Sequence, residues 1–298
     1  MKIDQNEDII ALNKNIYDQV FSKIYDDYHI NTTPKHYSQN LFISIIKQMS
    51  KDPNTPLRIL DIGCGTGTYA KLFLKHLPNS TLVANDISSK MLDIFTSRLA
   101  DEEKRRVDIS CEDASQLLNN SKGYDVICTE STLHHLPSYL EIIEGISKAI
   151  KPNGKLLIFD EPLSNPRFIG RILRTIESLV ISASFKDVKG GAKLVRTPFR
   201  LLGSIYATKY PERARVLRNK ANGYPLSNEQ REAYVKSEHH DGLDIASFKD
   251  ILNSTGFTIE LEQVGPSYDF YPTYALSRVL GSTHFLLVAK KEVKCNES

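Results

Sequence analysis

The sequence has no apolar run approaching the roughly 18–20 residues that a membrane helix needs. Little charge of one sign is present: 38 Lys+Arg against 36 Asp+Glu leave a net +2 over 298 residues, too balanced for a dedicated nucleic-acid binder. Cysteine is scarce. Cys64, Cys111, Cys128 and Cys295 are scattered without disulfide or metal spacing, which argues against a disulfide scaffold and against a cysteine-ligated metal. Three of the four lie in apolar or strand-like surroundings, as buried thiols do. The N-terminal MKIDQNEDII has no apolar centre and more acids than bases, so it does not read as a secretion signal. Repeats and low-complexity tracts are absent. What remains is a globular chain, expected in the cytoplasm, long enough for one large domain or two small ones.

The hydrophobic pattern changes character along the chain. Residues 8–50 read as helices, with Leu41, Phe42, Ile45, Ile46 and Met49 on one face; Pro34 can open that helix and KDPNTP ends it. From 57 to 161, short apolar runs alternate with amphipathic ones. Strands are expected at Leu57–Ile62, Thr81–Asn85, Val107–Cys111, Tyr124–Thr129 and Lys155–Phe159. Ala70, Phe73, Leu74 and Leu77 mark the first intervening helix; Met91, Phe95 and Leu99 mark another, capped by Ser88 or Ser89. Ile142, Ile143, Ile146 and Ile150 mark a third. This alternation predicts βαβ units and a parallel sheet. Residues 163–242 break it with a helical stretch carrying 15 Lys+Arg and 7 Asp+Glu. The sheet pattern resumes with a helix near Ile245–Ser254 and strands near Thr258–Val264 and His284–Ala289.

The densest chemical signal is LRILDIGCGTGTYAKLFL at 57–74. A strand runs into Gly63, Gly65 and Gly67 and a helix starts at once, so the main chain turns tightly and a ligand can approach it without Cβ clashes. A dinucleotide fingerprint would place its third glycine at position 68, which is Thr. The pattern therefore favours a cofactor without a pyrophosphate over a nicotinamide dinucleotide. Asp86 ends the second strand in LVANDIS, 19 residues beyond Gly67, where a carboxylate can accept from both hydroxyls of a ribose. Asp113 ends the third strand, placed to read an adenine amino group.

With the EDA turn, YDVICTESTLHHL and IKPNGKLLIFDEP, these motifs resemble the class I S-adenosylmethionine-dependent methyltransferases, closely over 57–162 and more loosely over 243–291. The resemblance implies an α/β fold, a Rossmann-like seven-stranded, mostly parallel sheet flanked by helices. It implies an N-terminal helical lid over 1–56, a cofactor-binding core over 57–162 and 243–298, and a basic, helical, substrate-capping insert over 163–242. It implies S-adenosyl-L-methionine as cofactor: Asp61, Gly63 and Gly65 along the methionine part with Gly67 completing the loop, Asp86 on the ribose, Ile87 on the adenine face, Asp113 and Ala114 at its edge. Glu130 and Ser131 would face the sulfonium and the acceptor, and Tyr17 or Tyr25 of the lid would close over the cofactor. His135 and, where the insert returns to the sheet, His240 are candidate bases; the alternative for each is a shaping role. The His239–His240–Asp241 cluster reads as a loop rather than a metal site.

The expected activity is in-line methyl transfer to the O, N or C atom of a small molecule, apolar or anionic, with weak membrane-surface contact open to the amphipathic insert. No nucleic-acid partner is implied. Two alternatives stand beside it: the same cofactor used for other chemistry, and a non-catalytic scaffold.

Overall fold

The computed structural model describes residues 5–25, 35–49, 55–164, 179–184, 201, 203–205, 207–208, 242–265 and 284–293. Its centre is a seven-stranded sheet in the order β3-β2-β1-β4-β5-β7-β6. The strands are β1 (Arg58–Ile62), β2 (Thr81–Asn85), β3 (Val107–Ser110), β4 (Tyr124–Glu130), β5 (Ile150–Pro162), β6 (Phe257–Gly265) and β7 (His284–Lys291). The first five pair in parallel, and β7 enters antiparallel between β5 and β6.

Helices cover both faces, which is why the inner strands read as near-continuous apolar runs. On one face α7 (Ala114–Asn120), α8 (Tyr139–Ala149) and α9 (Ile245–Ser254) pack Leu117, Ile143, Ile146 and Phe248 on Leu60, Ile127, Leu156 and Ile158. On the other face α3 (Lys35–Met49), α4 (Thr68–His76) and α5 (Ser89–Ser97) bury Phe42, Ile46, Phe73 and Phe95 against Ile59, Val126, Leu157 and Phe159. Alternate residues of one strand thus serve two cores. Phe42 sits edge-on to Phe73 and Phe159 at centroid distances of 4.9 and 5.1 Å, so α3 anchors the N-terminal segment to the sheet through aromatic packing. A short α6 (Asp101–Lys104) leads into β3.

The expected strands and α9 are present. Ile150, expected on the third helix, instead opens β5: α8 stops at Ala149. Its apolar side chain suits either face, so periodicity alone misassigns it. Cys64 and Cys128 are buried as expected, but Cys111 is exposed, just past the end of β3. Burial pushes the Cys64 and Cys128 thiols well up, as inert packing groups. Residues 5–25 are helical too, but not uniform: α1 (Gln5–Ile16) passes through one π turn, Tyr17–Phe21, into α2 (Ser22–Tyr25). Ser88 is the cap of α5, its hydroxyl accepting from Met91 N at 3.2 Å. Most of 163–242, including His240 and the arginines at 167, 171 and 174, lies outside the described residues, as do the aromatics at 268–274.

Gly67 has a packing role. It precedes α4 with φ +88°, and a Cβ placed on it would meet Phe95 Cδ2 at 2.0 Å. Both backbone strain and a collision inside the core follow from any side chain there. Gly67→Ala is expected to destabilise the fold by roughly 2–5 kcal/mol, read as a lowered midpoint in urea unfolding.

Candidate cofactor and methyl-transfer site

The strand order reverses between β1 and β4, and open α/β sheets form their binding crevice at such a point, beyond the carboxyl ends of the strands. A cleft of about 720 Å³, counting the space at its open mouth, lies there. Gly63 and Gly65 border it from the loop after β1, Asp86 and Ile87 from the end of β2, Glu112, Asp113 and Ala114 from the end of β3, and Glu130, Ser131 and Thr132 from the end of β4. Tyr17 and Tyr25 border it from the N-terminal segment, and His135 from the turn after β4. The sequence-predicted residues that are described therefore converge, with two exceptions, while His240 lies outside the described residues. Gly67 faces Phe95 and Asp61 lies beneath the floor; neither borders the cleft.

Asp86 organises the floor. Its Oδ2 accepts from Gly65 N at 2.9 Å and its Oδ1 from Ser88 N at 2.8 Å. Burial outweighs those two hydrogen bonds and, with Asp18 adding negative charge nearby, its carboxyl is pushed up to about 6. Asp61 is only 2% exposed and its Oδ2 has no hydrogen-bond partner. Burial, with the Asp86 charge beside it, pushes Asp61 up to about 8. An orphaned, neutralised carboxyl under the floor suits a ligand that brings positive charge, because a cation would restore its ionised form.

Gly63 needs its missing side chain: a Cβ would stand 2.4 Å from Thr132 Oγ1 and Cγ2. The loop after β1 and the turn after β4 are thus in direct contact at the head of the cleft. Asp113 is partly committed elsewhere. It is the N-cap of α7, its Oδ1 accepting from Ser115 N at 2.9 Å, so only the remainder of its carboxylate faces a ligand.

Tyr25 lies against Gly65, its Cε1 within 3.7 Å of where a Cβ would be. Burial and the neighbouring Glu130 charge raise its phenol well above the usual value, keeping it a neutral donor. Tyr17 Oη is 3.1 Å from His135 Nε2, and Asn13 Nδ2 donates to His135 O at 3.0 Å. The N-terminal helix therefore closes on the turn that carries His135.

Sequence reasoning missed what holds that turn. Glu161, fully buried at the end of β5, accepts on Oε1 from Thr132 N and Leu133 N, each at 2.8 Å. Its Oε2 takes His134 N at 3.3 Å and lies 2.9 Å from His134 Nδ1. Ser131 opens the turn in the left-handed region, at φ +50°, a conformation that costs a non-glycine residue. His134 is thereby a structural partner of Glu161, while His135 is the histidine of the pair that borders the cleft. Asn85 was missed as well; its amide donates to Glu112 O at 2.9 Å and Ser110 O at 3.2 Å, fixing the turn after β3. Its only signal was its place beside Asp86. Among the described residues, no group of three His, Cys, Asp or Glu is placed to hold a metal.

Residues 60–156 match the family model described as "Methyltransferase domain". Over that stretch the α/β core is similar to a methyltransferase domain. The malonyl-[acyl-carrier protein] O-methyltransferase of Priestia megaterium is 32% identical over 114 residues, 38% of this chain and 40% of that protein. The chain thus aligns with well under half the length of that relative. The demethylmenaquinone methyltransferase of Lactococcus lactis is 24% identical over 250 residues, 81% of this chain and 92% of that protein. Among solved structures, phosphoethanolamine N-methyltransferase 2 of Haemonchus contortus, in complex with S-adenosyl-L-methionine, superposes with a TM-score of 0.55 at 16% identity. It covers 94% of this chain and 60% of that one, a likeness of fold.

Proposed function

We propose that this protein is an S-adenosylmethionine-dependent methyltransferase acting on a small molecule. The observation that carries the reading is the convergence of Gly63, Gly65, Asp86, Asp113 and Glu130 on one cleft at the switch point of the sheet. The Lactococcus and Haemonchus relatives, named for demethylmenaquinone and phosphoethanolamine, support a small-molecule acceptor.

When bound, S-adenosylmethionine supplies a sulfonium methyl already activated toward nucleophiles. The chain's own residues then bind and align. Gly63 and Gly65 give the methionine part access to the main chain, Asp86 accepts from the ribose hydroxyls, and Ile87 with Ala114 packs on the adenine, Asp113 at its edge. Asp61, below, answers the ligand's positive charge. Tyr17 and Tyr25 roof the methionine end and keep water out, which favours in-line alignment. Glu130, Ser131 and His135 face the acceptor; His135 is the candidate to take a proton where the acceptor atom carries one. His240 and the basic 163–242 segment are assigned to covering the acceptor, apolar or anionic. The protein is assigned to the cytoplasm; among the described residues, no helix is long and apolar enough to cross a membrane.

Calorimetric titration with S-adenosylmethionine and its demethylated product tests the reading: both should bind at micromolar levels. Failure of both, with binding of a nicotinamide nucleotide, would overturn it. The affinity should also depend on pH. With Asp86 pushed up to about 6, its carboxylate is present above that value and protonated below it. Binding should therefore weaken as pH falls through about 6, because the protonated group loses an acceptor for the ribose.

A further inference from the structure

The N-terminal segment touches both banks of the cleft, and its contacts differ in kind. On the acceptor side Asn13 and Tyr17 meet His135. On the other side Asp18, half-buried in the π turn, reaches the start of α5. Its Oδ1 accepts from Ser88 Oγ at 2.6 Å and from Lys90 N at 3.1 Å. Lys90 N is one of the first-turn amides of a nine-residue helix, which have no partner within the helix. A carboxylate there is favoured by the dipole as well. Ser88 is also the residue whose N–H donates to Asp86 Oδ1. One serine thus joins the carboxylate of the lid to the carboxylate of the cleft floor.

Resting on the reading of the cleft as an S-adenosylmethionine site, we infer that Asp18 is a positioning residue for that site. It latches the lid to the start of α5 and, through Ser88, sets the placement of Asp86. The partners lie 70 and 72 residues away in sequence, so the latch exists only once the lid has docked. Tyr17, adjacent to Asp18, is held over the cleft by the same docking. Loss of the latch frees the roof and loosens the floor together, so both affinity and residence time of the bound molecule depend on it.

Asp18 also carries charge toward Asp86. Among the described residues, the titratable groups around Asp86 are Asp18 from the lid, Tyr25 from α2, Asp61 and Cys64 from β1 and the glycine loop, and Cys111 after β3. Of these, Asp18 is the one that both raises Asp86 and reaches it through a shared hydrogen-bond partner. Removing its charge should lower the pH at which Asp86 takes up a proton. Generic damage to the lid would not produce that displacement.

The test is calorimetric titration and stopped-flow dissociation of S-adenosylhomocysteine, on the full chain, across a pH series. Asp18→Ala should weaken affinity by about tenfold, the scale of a charge-assisted hydrogen bond, with most of the change in the dissociation rate. Asp18→Asn keeps an acceptor for Ser88 but not the charge. It should retain more of the affinity while its acid midpoint for binding moves below that of the wild type. Asp93→Ala, an exposed acid on the same helix in a surface pair with Lys90, should behave as wild type. If Asp18→Ala fails to fold, Asp18→Asn decides through its midpoint. A wild type that binds, with both Asp18 variants matching it in affinity, rate and midpoint, overturns the role of Asp18 alone. A wild type that binds neither S-adenosylmethionine nor S-adenosylhomocysteine overturns the site itself, and this inference with it.

Discussion

Asp86→Ala is expected to weaken S-adenosylmethionine binding roughly 10–100-fold, the consequence of removing charge-assisted acceptors from a buried ribose diol. Asp86 is 9% exposed, so water is poorly placed to substitute for it. The substitution also strips the acceptor from Gly65 N and Ser88 N, leaving the glycine loop untethered. Asp86→Asn separates the two effects. Its single oxygen can hold one of the two amides but cannot accept at both positions, and its NH₂ opposes an N–H donor. An affinity between those of the wild type and the alanine variant is therefore expected by calorimetry. Unchanged affinity in Asp86→Ala would remove this residue from the site.

Glu161→Ala is expected to cost more in stability than any substitution at the cleft surface. It leaves the part-buried N–H of Thr132, the buried N–H groups of Leu133 and His134, and the His134 ring without their acceptor. An orphaned buried donor costs about 1–3 kcal/mol. Partial rehydration of the vacated space tempers the sum, and a loss of roughly 3–5 kcal/mol is expected, measured by urea unfolding. Glu161→Gln retains one oxygen for Thr132 and Leu133 and turns a donor toward His134; it should lose about half as much. Because the turn carries Ser131, Thr132 and His135 to the cleft, methyl transfer by Glu161→Gln should fall further than cofactor affinity does. A Gln variant with wild-type stability would show that the turn holds itself.

The contrast between these two carboxylates explains what a sequence can disclose. Asp86 was legible because it sits at a fixed distance beyond a glycine loop, at the end of an apolar run, in the order that a repeating strand–helix pattern imposes. Gly63 and Gly65 were legible for the same reason. Gly67 belonged to the same motif, but its steric partner, Phe95, lies on another helix, so a packing glycine looked like a ligand-facing one. Glu161 also followed an apolar run, yet its partners stand 27–29 residues earlier. They are mostly backbone amides, which carry no residue-type signal. Asp18 was hidden in the same way, behind an amphipathic pattern that does not distinguish an α turn from the π turn that the chain adopts there. Local rules thus located the elements and the residues at their ends; the side chains that tie one element to another had to be seen in place.

The antiparallel β7 lies between β5 and β6, although it follows both in the chain, and this shapes synthesis on the ribosome. The emerging chain can assemble β1 to β5 with their helices while β6 waits without a neighbour on either side. Until residues 284–291 clear the exit tunnel, the edge of β5 presents unpaired main-chain groups, an open template for a second nascent chain. Its residues Leu156 to Phe159 are fully buried in the finished fold, so that interval is when this chain is most exposed to misassembly, and chaperone protection is most useful there.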